Sequence, residues 1–578
     1  MGMQGWKKWL LIGMVCLPGL ALAQDSSNLR IDGVSGDVRA NLEAYLGTVT
    51  PDDLQNWRDT QSRLRKSARE AMEAVGYYQS KIRITQQDGI VQAVIEPGDP
   101  VIVRHLELHY AGEASNDIAF TALLETLPLS EGDIFHHGRY EAIKTLVQNM
   151  ALERGYFGGE WKVHSVEVNT DTRSASITLE YDSGPRYRFG EVQFSSVTEG
   201  KPLPLRLAWL EKLAPFHADD AYEASKIIAF NKALLDSRYF NEVRVRAEPD
   251  LAVNERVPVN VTLAAEKPNQ LDTGLGYATD VGARLSLAWR RPLLNDRGHS
   301  VESSTEVSRV RQSATLRYGI PWNHPLNDTL QFFSGFKREV LDTATTYSTT
   351  LGVERLIRKP DGWQRGYTLR YSNETSRQVG GVSTTNNLLL PGVNYNRTRS
   401  RGGADPVWGD RQYYQAELAS RSLLSDAEFI SLRAGWRVLR TLADKHSFLL
   451  RADVGAILTS DFDSVPLNMR FYAGGDQSVR GFDYQSLSPK DSTGQVIGAS
   501  NLVTASAEYA WRFSKRWRLA SFVDTGNAFD SLSQGLATGA GVGVRWISPV
   551  GPVRLDVAWN VSEPNPSPRI HFFMGPAL

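Results

Sequence analysis

The stretch Phe429-Ile430-Ser431-Leu432-Arg433-Ala434-Gly435-Trp436, followed after a turn by Phe448-Leu449-Leu450-Arg451-Ala452-Asp453-Val454, decides how the carboxyl half must be read. Residues alternate with period two, so one face carries Leu, Val, Ala and aromatics while the other carries Arg, Asp, Ser or Gly. The same grammar runs through Ala283–Trp289, Gln331–Phe336 and Val553–Trp559. Arginine and aspartate on the second face suit the wet lumen of a membrane β-barrel and not the core of a sandwich. No helical period interrupts the 313 residues from Glu266 to Leu578. At roughly 20 residues for a strand with its connection, this length predicts a transmembrane antiparallel β-barrel of about 16 strands, an even number as bacterial barrels require. Nine tryptophans, at 289, 322, 363, 408, 436, 511, 517, 546 and 559, often stand near strand ends, where an interfacial girdle belongs.

Composition narrows the rest. A chain of 578 residues exceeds a single soluble core. Its 64 Lys plus Arg against 65 Asp plus Glu leave a net charge of −1, which removes nucleic acid from the list of partners. With 22% charged residues and a mean hydropathy of −0.32 the chain is neither disordered nor a helical membrane protein, while a β-barrel stays open. At the amino terminus Lys7-Lys8, an apolar run from Trp9 and the ending Ala21-Leu22-Ala23 predict a signal peptide over residues 1–23, cut after Ala23. The run is shorter than the roughly 20 residues of a spanning helix. Cleavage removes the one cysteine, Cys16, so packing and sheet closure alone must stabilise the secreted chain.

Before the barrel a phrase recurs three times. Gly76-Tyr77-Tyr78, Gly155-Tyr156-Phe157 and Arg238-Tyr239-Phe240 each close a long helical stretch and lead into two alternating strands. The repeat predicts three small α+β domains, over residues 24–100, 101–183 and 184–265, before the barrel at 266–578. Glycine tolerates the left-handed conformation that ends a helix, and the aromatic pair falls onto the following sheet. Arg238 in the third copy predicts a different cap. An exposed edge strand in such a domain could accept an extended peptide.

One loop and one strand carry the functional motif. Phe471-Tyr472-Ala473-Gly474-Gly475-Asp476-Gln477-Ser478-Val479-Arg480-Gly481-Phe482 enters a long glycine-rich loop. In Phe522-Val523-Asp524-Thr525-Gly526-Asn527-Ala528-Phe529, Phe522, Asp524 and Gly526 share a face. If that face is the lumen, Gly526 leaves space and Asp524 offers a carboxylate to Arg480, carried inward with Gly481 and Phe482. In a wet barrel the pair is expected to be worth about 1 kcal/mol or less while fixing where the loop sits.

These motifs, with Gly541-Val542-Gly543-Val544-Arg545-Trp546 and Ser548-Pro549-Val550-Gly551-Pro552-Val553-Arg554-Leu555-Asp556, resemble the carboxyl half of the BamA/TamA and two-partner-secretion superfamily of outer-membrane assembly and transport barrels. Leu293-Leu294-Asn295-Asp296-Arg297-Gly298 is similar to that family's turn between early strands, and the repeats resemble its periplasmic POTRA domains. Three repeats, and the ending Phe572-Phe573-Met574-Gly575-Pro576-Ala577-Leu578, resemble the TamA branch. The resemblance implies an outer-membrane barrel with residues 24–265 in the periplasm, β-barrel client proteins such as autotransporters, and an inner-membrane-anchored TamB-like partner docked on the first repeat.

Pro576 lacks an N–H for the ladder, so closure between the last strand and the first, placed at Leu271–Thr279, is expected to be weak. The expected seam comprises Leu271, Gly274, Leu275 and Gly276 facing Phe572, Met574, Gly575 and Pro576, with Leu275 and Met574 close enough to cross-link. A seam that parts exposes the first strand as a template for a client strand, whose own folding drives release. A short wall beside it would thin the outer-membrane lipid. Two alternatives stand beside insertion: a two-partner-secretion-like export pore, and a subunit of a lipid-transport complex. No cofactor and no enzyme activity are expected. No nucleophile elbow or metalloprotease helix occurs; His136-His137 reads as a solvated turn. Gly539-Ala540-Gly541-Val542-Gly543 alternates on a strand, so it reads as small residues at a crowded wall, and Asp453, Asp461 and Asp463 read as lumen or loop charges.

Overall fold

A computed structural model describes residues 29–198, 200–340, 344–378, 383–403, 405–492, 494–548 and 551–574. The expected signal peptide therefore lies outside the described residues, as do Gly575 and Pro576. Three three-stranded sheets precede a closed antiparallel barrel of 16 strands running from Gln270–Ala278 to Pro568–Met574. The first two sheets belong to one compact unit; the third belongs, with the barrel, to another.

Each small domain is built alike. In the first, Leu29–Asp32 lies parallel to Ile90–Glu96, which pairs antiparallel with Lys81–Gln87. Helices Gly36–Leu46 and Trp57–Ala74 cover one face, burying Leu42, Leu64 and Met72 against Ile84 and Ile95. In the second, Ile102–Ala111 lies parallel to Ser174–Asp182, which again pairs antiparallel with its hairpin neighbour, Glu160–Asn169. The third places Arg256–Ala265 between Arg188–Ser196 and Phe240–Ala247.

The recurrent phrase is a helix stop. Gly76 and Gly155 have φ of +92° and +87°, and Arg238 takes the same left-handed conformation at +58°. The cap expected to differ in the third copy is thus the same; a neighbouring hydroxyl helps hold it, since Ser237 Oγ accepts the Tyr239 N–H at 3.2 Å. The aromatic pair buries differently in each copy: Tyr77 and Tyr78 are half-buried, Tyr156 is buried and Phe157 half-buried, and Tyr239 and Phe240 are both buried. Tyr156 packs edge-on against Phe120 at 5.5 Å, on a helix and not on the sheet, and its hydroxyl donates to Asp117 at 3.1 Å. His136 is likewise no bare turn residue: it caps helix His137–Arg154, its Nδ1 accepting the Arg139 N–H at 3.4 Å.

In the barrel, Leu271, Leu285, Phe332, Leu351, Tyr367 and Leu450 stand exposed on the outer face, the apolar band a bilayer demands. The third domain sits at the barrel end that carries the turns after the second and fourth strands. Arg206 Nε pairs with Asp296 Oδ2 at 2.8 Å, Tyr239 donates to the Gly298 carbonyl at 3.2 Å, and Lys212 donates to the Asn323 carbonyl at 2.9 Å. Because strands alternate in direction, eight of the nine barrel tryptophans fall toward that end, Trp559 being the exception. The girdle is one-sided. Strands are also unequal: the first three and the last run 9, 10, 9 and 7 residues, whereas the seventh and eighth run 16 and 19. At ~3.4 Å per residue the wall is markedly shorter beside the closure.

Asp117 supplies a check on the small domains. It caps helix Ile118–Leu124 through the Ala119 N–H and binds Arg154 Nε at 2.6 Å. Burial alone would raise its carboxyl; the Arg154 ion pair, the Ala119 N–H and the Tyr156 hydroxyl outweigh this and hold it below the ordinary 3.8. The stability it contributes is therefore complete above that value and lost as pH falls through the lowered one. Asp117→Asn is expected to destabilise the domain by about 1–3 kcal/mol at neutral pH, read as faster hydrogen exchange over residues 112–186, with the difference from wild type shrinking in acid.

Candidate functional site

Thr459 to Ser500 leave the barrel wall between strands His446–Leu458 and Asn501–Arg512 and fold back inside it. The base of the loop is held by apolar packing: Val465, Met469 and Phe471 bury against Leu388, Leu390, Phe429 and Ile457. Part of the lumen at this end is therefore an oily core, which alternation alone did not predict.

Deeper in, Arg480 meets the wall as its sequence pairing with Asp524 anticipated, in a richer arrangement. Its Nε and Nη2 bind the two Asp524 oxygens at 2.6 and 2.9 Å, and its backbone N–H donates to Asp524 Oδ2 at 3.1 Å. Nη1 donates to Glu508 Oε2 at 3.0 Å and Asp556 Oδ2 at 2.8 Å. The guanidinium also lies 3.4 Å from the centre of the Phe522 ring, so every edge and one face are occupied. Arg545 closes the cluster, its Nη2 2.9 Å from Glu508 Oε2 and its Nη1 paired with Asp556. Arg451 stands 3.6 Å from Asp524, and Ser506 donates to that carboxylate at 2.6 Å.

Arg480 is 2% exposed and Asp524 0%. The pair is thus sealed from water, and the small value expected for a wet lumen does not apply: removing one partner of a buried ion pair typically costs 3–5 kcal/mol. Four adjacent strands supply the cluster, with Glu508, Asp524, Arg545 and Asp556 on Asn501–Arg512, Trp517–Phe529, Ala537–Ser548 and Gly551–Trp559. Pairing register brings Ser506 opposite Asp524 and Asp524 opposite Gly539.

Room for the loop comes from the glycine row. A Cβ on Gly539 would overlap the Arg480 carbonyl, and one on Gly541 would lie 2.5 Å from the Phe522 ring. Gly526, expected to leave this space, instead faces the neighbouring strand at the Val503 carbonyl, 2.5 Å from where its Cβ would stand. Gly481 has φ of +96° and passes against the Trp559 backbone, a path closed to a residue with a side chain. Phe482 is buried beside it.

The loop continues to the barrel closure. The Gly481 N–H donates to His571 Nε2 at 2.9 Å, which leaves the imidazole proton on Nδ1 to face Asp476 Oδ1 at 2.5 Å. The Asp476 N–H donates to Asp280 Oδ2 at 3.2 Å, and Thr279 Oγ1 lies 3.4 Å from Asp476 Oδ2. One loop residue therefore bridges the last strand to the turn after the first. Sequence reading named neither Asp476 nor His571 as a pair.

At the closure itself, the first strand pairs with its sequence neighbour over nine register positions, Gln270↔Arg290 to Ala278↔Gly282, and the last strand pairs with its own over seven. Between first and last, the described residues contain one register pair, Ala278↔Phe573. Beside it the Thr279 N–H donates to the Phe572 carbonyl at 3.2 Å, the Phe572 N–H donates to Thr279 Oγ1 at 2.6 Å, and Tyr277 meets Phe572 edge-to-face at 5.7 Å. Leu271 and Leu275 point outward, Leu275 79% exposed; Gly274 faces Ser286 and Gly276 faces Arg284. Met574 pairs with Val553. Leu275 lies three residues below the paired Ala278, so the register does not set it opposite Met574 as expected.

The Omp85 superfamily domain matches residues 263–577, and "POTRA domain TamA domain 1" matches residues 28–97. Outer membrane protein assembly factor BamA of Nitratidesulfovibrio vulgaris is 24% identical over 382 residues, 62% of this chain and 47% of the relative. BamA of Neisseria meningitidis serogroup B is 21% identical over 515 residues, 78% of this chain and 63% of the relative. The chain thus spans about half to under two thirds of the length of these relatives. The crystal structure of BamA from Haemophilus ducreyi lacking POTRA domains 1-3 superposes with a TM-score of 0.67 at 15% identity, covering 82% of this chain and 99% of that one, a likeness of fold. With the superfamily domain spanning more than half its length, from just before the first barrel strand to the end, this chain belongs to the Omp85 superfamily.

Proposed function

We propose that the chain is the outer-membrane component of a translocation and assembly module that inserts β-barrel proteins, autotransporters among them, by offering its first strand as a template. The observation that carries this reading is the closure: one described register pair where neighbouring strands share seven to nine. The edge from Gln270 to Tyr277 has no register partner on that side among the described residues. An unpaired edge in lipid lacks hydrogen-bond partners and gains them from an incoming strand. The short strands flanking it favour a thinned bilayer, which lowers the barrier to insertion. No nucleotide is needed in this scheme, because the client's own folding supplies the free energy.

Residues 24–265 lie in the periplasm in this reading, and the first small domain is the docking surface for an inner-membrane-anchored TamB-like protein; the TamA-type match over residues 28–97 supports that choice. The two relatives named as assembly factors support barrel clients. Against an export pore stands the loop: it lies against the inner wall and is fixed there by a buried ion cluster, so an exporter that moved it would have to break that cluster in every cycle.

Cysteines at Ala278 and Phe573 test the seam. Oxidation is expected to stop client insertion into liposomes and reduction to restore it; insertion unchanged in the oxidised protein refutes templating at this edge. For the loop, Arg480→Ala leaves Glu508, Asp524 and Asp556 short of a cation and is expected to weaken loop seating by about 3–5 kcal/mol. Arg480→Lys does not restore it, because one ammonium cannot bind both Asp524 oxygens side by side. Protease accessibility of residues 459–500 reports the outcome. His571→Phe removes the bridge through Asp476 and is expected to speed hydrogen exchange at Thr279 and Phe572 by roughly tenfold, leaving His446–Leu458 unchanged.

A further inference from the structure

Opposite the seam, the outer wall carries a feature that barrel insertion does not use. A groove of about 700 Å³ runs across the seventh to thirteenth strands, lined by Tyr367, Val393, Tyr414, Ala416, Leu432 and Ala434. A second, of about 530 Å³, shares Tyr367, Val393 and Ala416 with it and extends toward Leu369 and Ile430. These residues face outward: Tyr367 is 51% and Val393 50% exposed. Small side chains at Ala416 and Ala434 between large neighbours create the depression.

The groove ends in arginines at the barrel end bearing the third domain. Arg365 lines it and lies 5.6 Å from the Tyr395 ring, which stacks on Trp363 at 4.2 Å. Arg397 sits 4.5 Å from the centre of that indole, with its Nε buried and without a hydrogen-bond partner. Arg399, Arg401 and Arg440 gather around Trp408 at 5.6, 5.1 and 4.7 Å. Among the described residues Asp410 is the one carboxylate within 4 Å of any of these five cations, pairing with Arg399 at 2.8 Å and standing 3.8 Å from Arg397, while Arg440 donates to the Gly409 and Leu439 carbonyls. Among the described residues no carboxylate lies within 4 Å of Arg365, Arg401 or Arg440. Nearby Asp361 is taken up by the Trp363 N–H at 3.2 Å, and Asp405 by Arg512 and Arg518.

Cations stacked on interfacial aromatics, next to an apolar groove that forks in two, complement an amphiphile with an anionic head and two chains. We propose that this patch binds an anionic diacyl phospholipid of the periplasm-facing leaflet, its phosphate at the arginines around Trp363 and Trp408 and its chains in the two grooves. The site rests on the barrel spanning the membrane with its third domain toward the periplasm, and not on client insertion, so the two readings fail separately.

The test uses the full chain purified in detergent, with heat-modifiable gel mobility as the check that the barrel is folded. Binding of spin-labelled phosphatidylglycerol is compared with equally labelled phosphatidylcholine. Wild type is expected to prefer phosphatidylglycerol by about tenfold. The double variant Arg365→Gln/Arg401→Gln should bring the two lipids to parity. Ala434→Phe, which fills the groove and leaves the cations in place, should weaken both lipids alike and provides the arm should the arginine variant not fold. Equal binding of both lipids by wild type, a preference unchanged in the arginine variant, or competition by inorganic phosphate as strong as by phosphatidylglycerol would overturn the proposal.

Discussion

Three carboxylates and a second arginine surround the Arg480 guanidinium in a part of the lumen that water does not reach. A buried cation of this kind is tolerated only while each of its hydrogen-bonding edges is met. Glu508, Asp524 and Asp556 meet them from three strands, with Arg545 between. The cluster therefore does two things at once. It ties neighbouring strands into one register, and it fixes a 42-residue excursion, Thr459 to Ser500, against the inner wall.

Positioning then passes along the chain. Gly481 directly follows Arg480 and hands its N–H to His571 on the last strand, while Asp476 reaches His571 and the turn at Asp280. Among the described residues the closure so bridged has one backbone register pair. In the proposed function the ends part here, where the described residues hold one ladder rung and a side-chain bridge, while the remaining strands keep their own ladders. The lumen-facing cluster and the seam are in this sense one device: the first holds the loop, and the loop holds the join.

Much of this could be read in the chain. Period-two alternation with Arg and Asp on one face separated barrel from sandwich, and the spacing of Gly76, Gly155 and Arg238 marked three small domains. Asp524 and Arg480 were legible because the parity of Phe522-Val523-Asp524 fixes the side and the glycine-rich loop carries Arg480 toward it. Glu508 and Asp556 were not, although both alternate onto the lumen face; which wall carboxylates meet a given loop atom depends on the stagger between strands, which no local pattern encodes. The same stagger moved the free space from Gly526 to Gly539. Arg238 misled because φ above zero is disfavoured for arginine in isolation, whereas the native helix stop imposes it. The one-sidedness of the tryptophan girdle needed strand direction, which follows only once every turn is placed.

The central claim is that the first strand's open edge receives the client. The most direct measurement is a disulfide scan with single cysteines from Leu271 to Tyr277 against single cysteines along the last strand of a stalled client. The account predicts cross-links in one antiparallel register, with the sum of the paired positions constant along the edge. Cross-links scattered without register, or confined to lumen-facing positions such as Arg451, would contradict it.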